Sequence, residues 1–331
     1  MKAKKILLTA LPLMVAAISL MTSCSSDDDD ILSKNNDEGY TVFSAVAPGS
    51  PETRTKIGKY TEGKGSPFYW GDEDMIYVKD DDGKWQRSEP LSIPEYVWGK
   101  PTANFNVPGK FSPDKTYEVR YFGKYDEKRY AHGDNWGRIS DTFWQYGPNY
   151  SGDATRYSGD CGVGTAVWEN GHYTFKLQHK LAYLCLLPYS TEDQRFASWL
   201  YKLDYVSVRA ENSYLAGLYY LRDDGTLYLT SHEDKWKKND VFTRYPDQET
   251  NGDPGITIAN IKPDPSRVAI YVPIFPGKHK LRLSFIQSLG RTLWNETIIH
   301  LPEANYESGK VYQVPCRIKD TDLVKDHLVS N

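Results

Sequence analysis

Leu218-Tyr219-Tyr220-Leu221-Arg222-Asp223-Asp224-Gly225-Thr226-Leu227-Tyr228-Leu229-Thr230 sets two short apolar and aromatic runs on either side of an Asp-Gly pair. Aromatic residues favour strands, and glycine enters the left-handed backbone region without steric cost, so the stretch predicts a β-hairpin. Asp82-Gly83 has the same setting. Further strand-like runs, apolar or alternating and bounded by Gly, Pro, Asp or Asn, recur at Tyr40 to Val46, Met75 to Lys79, Tyr117 to Phe122, Tyr173 to Leu177, Leu181 to Leu187 and Tyr205 to Val208. They continue at Val268 to Ile274, Lys280 to Ile286, Thr297 to Leu301 and Lys310 to Val314. The competing helical pattern is one short turn at Glu192 to Leu200. An all-β chain follows.

Composition agrees. The 331 residues carry 25 Tyr, 9 Trp and 11 Phe beside 25 Gly and 19 Pro, a mixture of strand formers and turn formers. That length and a 39% hydrophobic content can bury two cores of ordinary domain size. With 40 Lys+Arg against 44 Asp+Glu there is no basic surplus to hold a polyanion, which argues against a nucleic-acid partner.

The texture changes along the chain. From Lys124 to Asn170 glycines alternate with Tyr130, Trp136, Trp144, Tyr146, Tyr150 and Tyr157, which reads as long ordered loops. A second strand-dense block follows to Ile318, broken by a polar insertion from His232 to Pro254. We therefore expect a first domain over 39–170 and a second over 171–318, each more naturally a sandwich than a barrel.

The first 24 residues read as an export signal. Lys2, Lys4 and Lys5 precede an apolar run from Ile6 to Met21 that is short for a membrane span. Met21-Thr22-Ser23-Cys24 resembles a bacterial lipobox, which makes Cys24 the expected lipidation site, carrying acyl chains such as palmitate into an outer membrane. Cleavage there leaves 37 basic and 44 acidic groups, a formal charge of -7. Residues 25–38 contain Asp27-Asp28-Asp29-Asp30, whose mutual repulsion makes an extended tether. Two readings of that acidic run stand: a solvated spacer, or a surface-export signal of the kind seen on Bacteroidetes lipoproteins.

Signs of catalysis are sparse. There is no nucleophile elbow, HExxH or P-loop, and Gly162-Val163-Gly164 lacks the third glycine of a dinucleotide site. Scattered histidines offer no ligand set, and His179, beside an apolar run, reads as a framework residue. Asp72 to Asp74 and Asp80 to Asp82 lack calcium-loop spacing and read as solvated turns. We expect no catalytic residues, cofactor or metal. Cys161, Cys185 and Cys316 show no metal or redox spacing; Cys185 and Cys316 read as small buried hydrophobes, with a bridge between them the lesser alternative. Trp136, Trp144 and Tyr146 are candidate glycan or adhesion contacts, since ring faces stack on sugars.

Several pieces together resemble the fimbrillins, the pilin and pilin-like lipoproteins of Bacteroidetes. After the lipobox come a first strand, Thr41-Val42-Phe43-Ser44-Ala45-Val46, and a loop ending Glu52-Thr53-Arg54-Thr55. Trp70-Gly71-Asp72 then leads into Met75-Ile76-Tyr77-Val78, Phe175 to Ala182 resembles the opening of the family's second domain, and Tyr306 to Tyr312 its last strand entry. The resemblance implies two transthyretin-like sandwiches in tandem and a structural role in a surface fimbrium. It also implies a trypsin-like protease cutting after Arg54 to free the first strand, and a strand from another subunit replacing it. Arg54 as an ordinary surface residue stands beside that reading. The implied donor segment is 319–331, although Leu323, Val324, Leu328 and Val329 do not alternate strictly. A glycan-binding surface lipoprotein is the alternative from a different class.

Overall fold

The computed structural model describes residues 39–45, 56–57, 68–94, 100–123, 136–139, 142–144, 159–190, 202–229, 237–244, 256–257, 259–260, 269–289 and 293–318. All lie within one compact unit, Gly39–Asn331. The described residues are strands and their connections, with no helix among them. In chain order the strands are β1 (Tyr40–Ala45), β2 (Lys56–Ile57), β3 (Phe68–Tyr69), β4 (Tyr77–Lys79), β5 (Trp85–Arg87), β6 (Ala103–Pro108), β7 (Tyr117–Tyr121), β8 (Trp136–Ile139) and β9 (Thr142–Trp144). They continue with β10 (Gly162–Glu169), β11 (His172–Phe175), β12 (Leu177–His179), β13 (Ala182–Ser190), β14 (Lys202–Ala210), β15 (Gly217–Leu221), β16 (Leu227–Leu229) and β17 (Asp240–Arg244). The last are β18 (Ile256–Thr257), β19 (Ala259–Asn260), β20 (Ile270–Ile274), β21 (Gly277–Leu289), β22 (Leu293–Tyr306) and β23 (Val311–Arg317). The chain is all-β.

The first large sheet runs β5-β4-β7-β10-β11-β1-β6, with β12 also paired to β10. Its two ends approach each other: the Glu89 N–H donates to the Asn106 carbonyl at 2.9 Å, next to β5 and within β6. Inside sit Phe43, Trp70, Val78, Phe105, Val119, Tyr121, Tyr173 and Phe175, forming one hydrophobic core. Trp70 stands edge-on to Phe105, with 4.9 Å between ring centres, and to Tyr121 at 5.7 Å. A second core gathers Tyr183, Leu184, Leu186, Val206, Val208, Tyr219, Val272, Leu283 and Phe285. It is enclosed by the sheets β22-β21-β14-β17-β9, β16-β15-β8 and β19-β13-β20, with β23 paired to β13.

Both hairpins expected at Asp-Gly form, and with the same bonding. In the loop between β4 and β5, Asp80 N–H bonds the Lys84 carbonyl at 2.8 Å and Gly83 N–H bonds the Asp80 carbonyl at 3.0 Å. Between β15 and β16 the pairs are Arg222 to Thr226 and Gly225 to Arg222, each 2.9 Å. Gly83 and Gly225 have φ of 74° and 73°, the left-handed step that closes such loops.

The span Lys124 to Asn170 differs from its reading as loops, because it holds β8, β9 and the eight-residue β10. Glycine misled there. A Cβ on Gly164 would stand 2.3 Å from the Lys176 carbonyl oxygen, so the position needs close backbone approach within a sheet rather than a loop. The polar insertion also holds a strand, β17. Past residue 170, β11 and β12 pair with β10 in the first sheet as far as His179.

The acidic pairs are not simply solvated turns. Asp74 is buried and accepts from Gly71 N–H at 2.6 Å and from the Tyr121 hydroxyl at 3.0 Å. Asp80 is buried too and accepts from the N–H groups of Asp82 and Lys84 and from Gln86 Nε2. Desolvation pushes its carboxyl up, but those bonds together hold its pKa below the ordinary value. These carboxylates fold turns onto the core.

Candidate functional site

The first strand, singled out in the sequence for exchange, has a partner strand on each side. β1 pairs antiparallel with β6 along its whole length, from Tyr40↔Pro108 to Ala45↔Ala103. On its other side it runs parallel to β11, with Phe43 opposite Tyr173 and Ala45 opposite Phe175. Phe43 is fully buried and Ala45 nearly so, while Tyr40 at the strand's start is exposed. Alternation explains the arrangement: Phe43 and Ala45 lie on the core face, and Ser44 on the other face donates to Asn104 Oδ1 at 2.8 Å.

The Phe43 ring occupies an aromatic pocket. It stacks on Tyr173 with 4.8 Å between ring centres and 12° between planes, and meets Phe111 edge-on at 4.9 Å. Tyr117 closes a further side at 6.4 Å. A hydrogen-bonded latch holds those walls. Tyr117 donates to Asp81 Oδ1 at 2.8 Å, Lys115 Nζ reaches the same oxygen at 2.7 Å, and Tyr173 donates to the Ser112 carbonyl at 2.5 Å. The Lys115 ammonium, the Ser112 hydroxyl and the Tyr117 hydroxyl hold the Asp81 carboxyl well below its ordinary range, and burial pushes the Tyr173 phenol up. The composition of β1 pointed to a strand, whereas Phe111, Ser112 and Lys115 lie in a Pro-containing turn that gave no signal of covering it.

A buried polar cluster lies where the first sheet passes into β13. His179 Nδ1 stands 2.9 Å from Asp160 Oδ2, the Tyr183 hydroxyl donates to Asp160 Oδ1, and the Tyr183 oxygen is 3.2 Å from His179 Nδ1. Cys161 is buried beside this cluster, its thiol pushed up by burial and by the Asp160 charge. Such a thiol stays protonated at neutral pH and is no nucleophile. Burial likewise pushes Cys185 and Cys316 up to about 12. All three cysteines are free, so the bridge weighed between Cys185 and Cys316 is absent. Pairing on neighbouring strands explains this: Cys185 sits opposite Gln313, and Cys316 opposite Pro188.

The remaining candidates scatter. Trp136 belongs to β8 and pairs with Tyr220, while Trp144 belongs to β9 in a different sheet and pairs with Arg244. Tyr146, the lipidation candidate Cys24, the cleavage candidate Arg54 and the tail 319–331 lie outside the described residues. Arg54 falls between the end of β1 at Ala45 and the start of β2 at Lys56.

No protein-family model and no curated protein matches this chain. Solved structures do match it. Its structural neighbours are candidate cell adhesion proteins and fimbrial proteins of Bacteroides. A candidate cell adhesion protein of Bacteroides ovatus is 14% identical, with 83% of this chain and 92% of that one covered and a TM-score of 0.44. Another, of Bacteroides uniformis, is 11% identical over 86% of this chain and 94% of its own, with a TM-score of 0.42. A fimbrial protein of Bacteroides ovatus is 10% identical over 84% of this chain and 48% of its own, with a TM-score of 0.38.

Proposed function

We propose that this chain is a structural, non-catalytic subunit of a surface fimbrium or a fimbrillin-like surface lipoprotein. In this reading it is anchored in the outer membrane through Cys24 and assembles with other subunits by exchange of its first strand. The observation that carries the reading is the position of β1. It lies between β6 and β11 with Phe43 sealed in an aromatic pocket, so its loss would uncover two backbone ladders and an apolar cavity at once. An extended segment of another subunit restores both by β-augmentation. A trypsin-like protease cutting after Arg54 severs the chain between β1 and β2, and the two cores serve as the tandem sandwiches of the subunit. The sequence resemblance described above supports the same reading.

Treating the purified chain with a trypsin-like protease tests it. The expected result is one cut after Arg54 followed by polymers whose length grows with protein concentration. A chain left whole at Arg54, or one that stays monomeric once cut, overturns the exchange mechanism.

A further inference from the structure

The pocket that receives Phe43 is built by groups that bond to one another and not to β1. Phe111 and Ser112 lie in the turn that leads from β6 to β7, Tyr117 opens β7, and Tyr173 lies in β11. Asp81, in the loop after β4, gathers them from outside the pocket. Its carboxylate accepts from the Ser112 hydroxyl at 2.5 Å, from Lys115 Nζ at 2.7 Å and from the Tyr117 hydroxyl at 2.8 Å, and its N–H donates to the Lys110 carbonyl at 2.9 Å. The Tyr117 oxygen in turn accepts from the Ser112 N–H at 2.7 Å, and Tyr173 donates to the Ser112 carbonyl at 2.5 Å. These bonds use no atom of β1, so departure of the strand breaks none of them.

The wall rings are also fixed relative to one another. Phe111 is edge-on to Tyr117, with 5.0 Å between ring centres, and Tyr117 is edge-on to Tyr173 at 5.2 Å. Phe43 enters parallel to Tyr173 and edge-on to the other two. The space therefore has the shape of a flat ring, and a branched aliphatic chain fits it less closely.

We propose that the place of β1 selects an incoming strand that carries an aromatic ring at the Phe43 register, and that Asp81 is the positioning residue that keeps the ring pocket formed while the place is empty. This rests on the exchange reading and names the partner that such an exchange prefers. Walls held in position before the ring arrives spare the incoming strand the cost of ordering them. Residues 319–331 carry no aromatic side chain, so a strand from that tail would offer leucine or valine and fill the pocket less well. The bland alternative, a latch that only stabilises the fold, predicts no preference for a ring and no link between Asp81 and what enters the pocket.

The test uses the uncut full chain, so it needs neither cleavage nor polymerisation. Phe43→Ala opens the space, and toluene is the probe, since apolar cavities of this kind take up small aromatic molecules. Toluene at about ten times its Kd should raise the urea midpoint of Phe43→Ala by about 0.5 M and leave that of the unsubstituted chain unmoved. Methylcyclohexane, with the same number of carbons but no flat face, should bind roughly fivefold more weakly. Adding Asp81→Ala to Phe43→Ala should weaken toluene binding by roughly fivefold. An Asp81 that only stabilised the fold would lower the midpoint equally with and without toluene. Should Phe43→Ala fail to fold, Phe43→Val, which leaves a smaller space, carries the same comparisons with benzene and cyclohexane. Absence of any aromatic effect, equal action of the aliphatic ring, or an aromatic effect unmoved by Asp81→Ala overturns the proposal. A cut chain that stays monomeric while these results hold would overturn the exchange reading and leave the preformed pocket standing.

Discussion

β1 and β23 are both paired in parallel, yet they are held in opposite ways. β1 has a strand on each side, and its inner residues Phe43 and Ala45 are sealed in the first core. Among the described residues β23 pairs with β13 alone, from Tyr183↔Val311 to Tyr189↔Arg317, and it alternates exposed and half-buried residues until Cys316. Pro315 in β23 has no N–H to offer, a common way of blunting an open sheet edge. The first strand is thus an internal filler whose removal leaves a vacancy, and the last is a cover along one edge. The exchange proposed above draws on that difference, because the pocket and two ladders of β1 would accept a strand supplied in trans.

The largest expected effect tests that contrast. Phe43→Ala empties a pocket walled by Tyr173, Phe111 and Tyr117 and should cost about 3–5 kcal/mol. In β23, Tyr312 is half-buried, rests edge-on against Tyr306 at 4.9 Å and accepts from Glu307 N–H at 2.8 Å. Tyr312→Ala should therefore cost only about 1 kcal/mol. Urea unfolding of both variants measures the difference, and equal losses would break the distinction between filler and cover.

Acid should sharpen the comparison between the two cores. His279, in the second, is buried and takes the neutral role on both ring nitrogens: Nε2–H donates to the Phe275 carbonyl at 2.7 Å, and Nδ1 accepts from the Ser213 hydroxyl at 2.6 Å. Burial lowers its pKa below 6.5, while Asp80 in the first core sits below 3.8. Both folded values are depressed, so the unfolded chain binds more protons and stability rises with pH in each window. The His279 contribution is complete above pH 6.5 and is lost as the pH falls through its folded value. The Asp80 contribution is complete above about pH 4 and is lost only below it. Urea titrations should show His279→Gln flattening the slope between pH 7 and 5, and Asp80→Asn flattening it only under about pH 4, each effect below about 2 kcal/mol. Identical profiles for the two variants would show that these groups do not set the acid response.

Much of the fold was legible because strand signals are local. The run Leu181 to Leu187 reads directly as a buried strand and becomes β13, and Asp82-Gly83 and Asp224-Gly225 mark their turns. What failed was wherever a strand owes its place to a distant backbone. β10 contains Gly162 and Gly164, which read as loop until Lys176 is seen against Gly164. β6 hides its inward Ala103, Phe105 and Val107 among Asn104, Asn106 and Pro108. For the candidate site, Phe43 announced a strand residue, but its pocket draws on Phe111, Tyr117 and Tyr173 from separate elements, and no local pattern joins them. The direction of Tyr219 needed register too, since Tyr219 and Tyr220 are adjacent in sequence and only pairing shows which one faces the core.

The smallest effect concerns the two hairpins, which share one bonding pattern in different surroundings. Gly83 is open, with nothing within 4 Å of an added Cβ, whereas a Cβ on Gly225 would lie 3.4 Å from Lys180 Nζ and 3.7 Å from Val163. Both glycines hold φ near 74°, so alanine at either meets the same steric penalty of about 1–2 kcal/mol. The Lys180 contact is the movable end of a flexible side chain and should add little. Gly83→Ala and Gly225→Ala are therefore expected to lower the urea midpoint by nearly equal amounts. A Gly225→Ala loss more than about 1 kcal/mol larger than that of Gly83→Ala would mean that packing of this hairpin against Lys180 and Val163, rather than turn geometry, sets its cost.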